Sequence, residues 1–186
     1  MWEWVVIALV VILVIVALWA ITAYNGLVRL RNLVQEAWRQ IDVELQRRHD
    51  LIPNLVETVK GYAKHERETL EAVIQARTVA AAPGSSPAQQ AEQENMLTQA
   101  LGRLFALAEA YPDLKANQNF LQLQQELTNT EDRVAAGRRF YNANVRTLNT
   151  RIETFPTVFI ANMFGFTREE YFETHEAARQ APNVQF

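Results

Sequence analysis

Residues 4–24, from Trp4 to Tyr24, run without a charge, a proline or a glycine. Roughly 20 helical residues, each rising about 1.5 Å, cover the ~30 Å hydrocarbon core of a bilayer. Trp2, Trp4, Trp19 and Tyr24 stand near the two ends of the run, where amphipathic rings favour the headgroup level. A cleaved secretory signal is the less consistent reading. Residues 1–3 contain no Lys or Arg, the apolar run is too long, and Ala17-Leu18-Trp19-Ala20 makes a poor cleavage site. The segment is read as an uncleaved anchor. Arg29, Arg31, Arg39, Arg47 and Arg48 all follow it and none precedes it. The positive-inside rule then expects the N-terminus outside the cell membrane and residues 25–186 in the cytoplasm.

The remaining chain is long enough for one domain with its own core. It has no cysteine, so a disulfide scaffold and a thiolate zinc site are excluded. A net charge of −3 gives no broad basic footprint for nucleic acid. Glycine and proline number six each and cluster at a few points, a pattern of long helices.

Leu27, Leu30, Val34, Trp38, Ile41 and Leu45 recur at helical spacing and predict an amphipathic helix leaving the membrane. Pro53 disfavours helical geometry at Ile52 and lacks an amide donor. A tight turn with Asp50 as cap is expected there, with a kink in one continuous helix as the alternative. A second helix carries Leu55, Val56, Val59, Leu70, Val73 and Ile74 and ends in the Ala-Pro-Gly-Ser loop near 80–87. Ser86 and Gln89 then read as a capping box around Pro87. A third helix presents Leu97, Leu101, Leu104, Ala108 and Tyr111, and Pro112 breaks it. The fourth runs to about Thr154 along a seam of Phe120, Leu123, Leu127, Glu131, Val134, Arg138, Tyr141, Val145, Leu148 and Ile152.

The expected fold is all-α. A single transmembrane helix (1–24) precedes a long antiparallel four-helix bundle (25–154) and an aromatic-rich tail (155–186) with a short helix capped at Thr167. Helix parity then returns the tail to the bilayer. Six of the nine phenylalanines lie there, Phe155, Phe159, Phe164, Phe166, Phe172 and Phe186, with Tyr171, Phe172 and His175 assigned to the short helix. These aromatics either cover the open end of the bundle or meet another subunit, and Phe155, Phe159, Phe164, Phe166, Tyr171 and Phe172 are the candidate contacts. Bilayer contact ranks last, because Glu153, Glu169, Glu170, Glu173 and Glu176 outnumber Arg168 and Arg179.

Two charges in the fourth helix's seam, Glu131 and Arg138, suggest a polar network across the bundle with Asp42. A solvated face is the competing reading. Arg139, Arg146 and Arg151 are candidate headgroup contacts as that helix nears the membrane, although basic residues also suit a helix C-terminus. Catalytic signals are thin. His49, His65 and His175 form no metal-binding pair, and no P-loop, glycine-rich dinucleotide motif or cysteine nucleophile is present. No catalytic residue, metal or cofactor is expected.

Asn25-Gly-Leu-Val-Arg-Leu-Arg-Asn-Leu-Val-Gln-Glu-Ala-Trp38, Ile41-Asp42-Val43 and the block from Arg47 through Pro53 to Glu66 resemble the LemA family. Asn119-Phe-Leu-Gln-Leu-Gln-Gln-Glu-Leu127, Thr130-Glu131, Arg138-Arg139-Phe140-Tyr141-Asn142, Phe155-Pro156 and Tyr171-Phe172-Glu173 carry the same likeness. The resemblance implies a bacterial single-pass membrane protein with a helical bundle, without enzymatic activity or cofactor. Some members of that family are linked to internal membrane compartments, which implies membrane shaping. The expected partners are the lipid bilayer and further copies of the chain in a homo-oligomeric scaffold, with no nucleic acid. The alternative is an adaptor that docks another membrane protein, a protease or signalling component, through residues 47–66.

Overall fold

A computed structural model describes residues 1–173, which are mostly helical, with no strand among them. Six helices follow one another: α1 (Trp2–Tyr62), α2 (Arg67–Ala80), α3 (Pro87–Ala108), α4 (Pro112–Lys115), α5 (Gln118–Glu153) and α6 (Thr157–Met163). Contacts divide the described residues into two compact units, one holding residues 1–37 and 142–169, the other residues 38–141 and 170–173. Both α1 and α5 contribute to each unit.

The expected turn at Pro53 is absent, and α1 passes straight through it. A proline inside a helix removes one backbone bond, typically at a cost of about 3 kcal/mol or more. Here the carbonyl left without its usual donor is that of His49, four residues back. Arg77 of α2 supplies the replacement, donating Nε–H to His49 O at 3.2 Å. The chain reverses further on, between Tyr62 and Arg67.

Within the second unit, side-chain contacts give the direction of each helix. Arg77 beside His49 brings α2 back along α1. Glu94 of α3 meets Arg48, while Tyr111 beyond its end donates to Glu66 at 3.2 Å. Asn117, before α5, donates to Tyr62 at 2.9 Å, and Tyr141 near the far end of the unit packs against Trp38 with the rings tilted. The core between them holds Ile52, Leu55, Val59, Val73, Leu97 and Leu104. The capping box at α3 is present as expected, with Ser86 N–H donating to Gln89 Oε1 and Gln89 N–H to Ser86 Oγ.

The seam of α5 keeps its expected ends but shifts in the middle. Thr130 is buried there and Glu131 is only half-buried, while Arg138 is exposed. Gly137 faces α1 so closely that a Cβ would lie 3.0 Å from Ile41 Cγ1. The 3-4 spacing from Leu127 to Val134 and on to Tyr141 is satisfied by either phase, and packing selects the pair of smaller residues.

In the first unit, residues 5–18 of α1 are exposed and burial begins around Trp19 and Ala20. Ala23, Leu27 and Val34 of α1 are buried in this unit, as are Val145, Leu148 and Ile152 of α5 and Ile160 and Ala161 of α6. The short tail helix lies earlier than expected. Residues 167–173 form no helix, because side chains capture their backbone: Asn149 takes both polar groups of Glu169, and Tyr141 Oη donates to Glu170 O. His175 and Phe186 lie outside the described residues.

Replacing Arg77 with Met leaves the His49 carbonyl without its donor and is expected to destabilise the protein by about 1–3 kcal/mol. In a Pro53→Ala background the restored amide satisfies that carbonyl, so the same change costs markedly less. Denaturant unfolding of the four proteins of this cycle measures the coupling. Gly137→Leu, which forces α1 and α5 apart, is expected to cost about 1–3 kcal/mol by the same assay.

Candidate functional site

Two places concentrate functional side chains, one in each unit. In the second unit a buried ionic network joins three helices. The helical rhythm that buries Leu45, Ile52 and Val56 also turns Arg48 and His49 inward, leaving them 2% and 3% exposed. Burying a charge is tolerated only with a partner, and Glu94 of α3, 5% exposed, provides it. Arg48 Nη1 donates to Glu94 Oε2 at 2.7 Å, His49 Nε2 lies 2.7 Å from Glu94 Oε1, and Gln90 Nε2 donates to the same oxygen at 3.0 Å. With Glu94 ionised, a carboxylate only accepts, so the proton of His49 sits on Nε2.

The other amino group of Arg48 reaches α5. Nη2 donates to Thr98 Oγ1 at 2.6 Å and pairs with Glu131 Oε2 at 3.1 Å. Glu131 closes the network toward solvent beside a cavity of about 280 Å³ lined by Thr98, Phe105 and Leu127. His49, Glu94 and Glu131 do not form a metal centre, because Arg48 stands between the two carboxylates. Among the described residues no group of three such ligands has metal-holding geometry. What the network can do is hold α1, α3 and α5 at one register.

Of the polar residues expected to form a network, Glu131 takes part, whereas Asp42 and Arg138 are exposed and outside it. Arg48, His49 and Glu94 were not anticipated. The signal was present: Leu45, His49, Ile52, Val56 and Val59 form one rhythm, but only if Pro53 stays inside the helix.

In the first unit α6 forms an aromatic shelf. Its inner face, Thr157, Ile160 and Ala161, is buried, while Phe155, Phe159, Met163 and Phe164 are 75%, 61%, 74% and 56% exposed. Gly165 follows with φ of +69°, a left-handed step that ends the helix without strain. The chain is then pinned to the end of the apolar run. Phe164 and Phe166 pack on Tyr24 with ring centroids 4.7 and 5.8 Å away, and the Arg31 guanidinium lies 5.1 Å over Phe166. Arg168 pairs with Glu153 at 2.8 Å.

The six candidate contact aromatics therefore separate. Phe155, Phe159 and Phe164 are exposed, Tyr171 is half-buried, and Phe166 and Phe172 are buried within the chain, Phe172 against Trp38 at 5.4 Å. The candidate headgroup arginines are all exposed. Arg146 and Arg151 belong to the first unit and Arg139 to the second.

Removing Glu94 leaves Arg48 buried without its main partner, so Glu94→Ala is expected to cost about 3–5 kcal/mol in denaturant unfolding. Glu131→Ala is expected to cost no more than about 1 kcal/mol, since that carboxylate is half in water. Asp42→Ala and Arg138→Ala should stay within about 0.5 kcal/mol of the parent.

Known proteins are similar to most of this sequence. Protein LemA of Metamycoplasma hominis is 29% identical over 83% of this chain and 71% of its own length. Magnetosome protein MamQ 2 of Paramagnetospirillum magneticum is 27% identical, and magnetosome protein MamQ of Magnetospirillum gryphiswaldense 26%. Each covers 83% of this chain, which spans 66% of either magnetosome protein. The sequence pattern of the LemA family matches residues 37–186. On that match the chain belongs to the LemA family.

Proposed function

We propose that this chain is a single-pass membrane protein whose copies assemble into a non-enzymatic scaffold that organises or shapes the bacterial inner membrane. In this reading residues 4–24 cross the bilayer, the N-terminus is outside, and the helices fold in the cytoplasm as an antiparallel four-helix bundle.

The observation that carries the reading is the junction of span and fold. The apolar run is exposed over residues 5–18, yet Ala23 and Leu27 in the same helix are buried in the first unit. No flexible linker separates anchor from folded protein, so each copy is held by packing at the point where it leaves the bilayer. An enzyme tethered for convenience needs no such junction; a repeating scaffold does. Kinship with the magnetosome proteins supports a role in organising membrane.

A second reading, an adaptor for an unlike membrane protein, has one observation in its favour. A groove of about 470 Å³ lies between α1 and α2, with Lys60, Lys64 and Arg67 around Val56, Leu70 and Ile74. Much of the block expected to dock a partner is spent on the core, however, including Arg48, His49, Ile52, Leu55 and Val59.

The mass of the detergent-extracted protein, together with crosslinking in native membranes, tests the proposal. A single multi-copy species with copy-to-copy crosslinks is expected. A monomer without crosslinks overturns it, and stoichiometric recovery of a different protein in place of further copies favours the adaptor.

A further inference from the structure

We infer that the aromatic shelf of α6 is a second membrane-contacting element, lying in the bilayer interface beside the span with Phe155, Phe159, Met163 and Phe164 turned toward lipid. This rests on the membrane reading above but not on the oligomeric one.

Four observations converge on it. A cluster of large apolar side chains facing outward marks a contact surface rather than ordinary protein exterior. The shelf cannot fold inward, because the opposite face of α6 is already occupied by Thr157, Ile160 and Ala161. Its position is set by the span itself: Phe164 and Phe166 rest on Tyr24, the last residue of the apolar run. Tyr24 lies at the depth where interfacial aromatics sit, so the shelf is continuous with a surface that lipid already covers. Burial of α1 begins at Trp19 and Ala20, placing the edge of this unit against the last turns of the span.

Charge favours the same occupant. The acidity of the tail argued against lipid in the sequence, but the acids flank the shelf instead of lying on it. Residues 154–167 carry no charged side chain. Glu153 is paired with Arg168, and Glu170 and Glu173 belong to the other unit. Beyond the span, the first unit holds five arginines (Arg29, Arg31, Arg146, Arg151 and Arg168) against three glutamates (Glu36, Glu153 and Glu169). An apolar surface edged by net positive charge suits an anionic leaflet.

The chain has no cysteine, so single spin labels can be placed cleanly on the full-length protein. Phe159→Cys and Met163→Cys label the shelf, Val11→Cys labels the span, and Leu121→Cys, exposed on α5 in the second unit, serves as the aqueous reference. Each labelled protein is reconstituted into vesicles of phosphatidylcholine and phosphatidylglycerol, and accessibility to oxygen and to a water-soluble nickel chelate is read by power saturation. Unchanged helical circular dichroism verifies folding, and the two shelf positions check each other. The expected result is an oxygen-to-nickel ratio at both shelf positions several-fold above that of Leu121→Cys and below that of Val11→Cys. Shelf labels that match Leu121→Cys while Val11→Cys remains in lipid overturn the inference. Spin–spin broadening between shelf labels with neither reagent gaining access overturns it too, in favour of a second copy. If Val11→Cys is itself aqueous, the membrane reading fails and carries this inference with it.

Discussion

The carbonyl of His49 is the point on which the rest of the fold turns. Pro53 cannot donate to it, and a buried carbonyl without a donor costs about as much as a lost hydrogen bond. Two solutions exist for a chain in this position: break the helix, or bring a donor from elsewhere. This chain brings Arg77, and the consequences spread outward. Because α1 stays whole, Arg48 and His49 remain on its inward face. Because they are buried, Glu94 is required. Because α2 must present Arg77, the reversal at residues 63–66 places it antiparallel along α1. A proline that looks like a helix breaker thus becomes a constraint that orients a neighbouring helix.

The buried network illustrates how such charges are best understood. A pair like Arg48 and Glu94 gains its attraction only after both groups have lost water, and a well-packed apolar pair often does as well. Its distinctive property is directional. Arg48 distributes its amino groups to α3 and α5, and no shift of one helical turn in either would preserve those bonds. Alongside it, Gly137 allows α1 and α5 to approach until Ile41 fills the space a side chain would take. Polar pairing and close packing specify the same register from opposite directions.

Much of this was legible in the sequence, and the failures have physical causes. The apolar run, the loop near 83, the capping box at Ser86 and the course of α5 to Glu153 follow from local rules that tertiary contacts do not overturn. The behaviour of Pro53 does not, because the residue that satisfies His49 lies 28 positions away and no local pattern names it. The seam of α5 failed differently. Two phases connect Leu127 to Tyr141 equally well, and choosing Glu131 and Arg138 over Thr130 and Gly137 needed knowledge of the opposing surface. In the tail, propensity favoured a helix from Thr167, but Asn149 and Tyr141 offered its backbone other partners. The aromatic residues were visible in number, while their separation into buried Phe166 and Phe172 and exposed Phe155, Phe159 and Phe164 depends on the inner face of α6.

These features make the N-terminal helix one element with two surroundings, an exposed apolar surface along its first turns and protein packing along the rest. The account stands on its remaining unbroken where protein packing takes over. Residue-resolved hydrogen exchange of the full chain in vesicles tests that directly at Leu51 and Ile52. In a continuous helix both amides bond to the carbonyl four residues earlier, and strong protection is expected at both. In a new helix capped by Asp50 the same amides would lie in its first turn without such acceptors. Rapid exchange there, with Val56 and Val59 protected, would contradict the account.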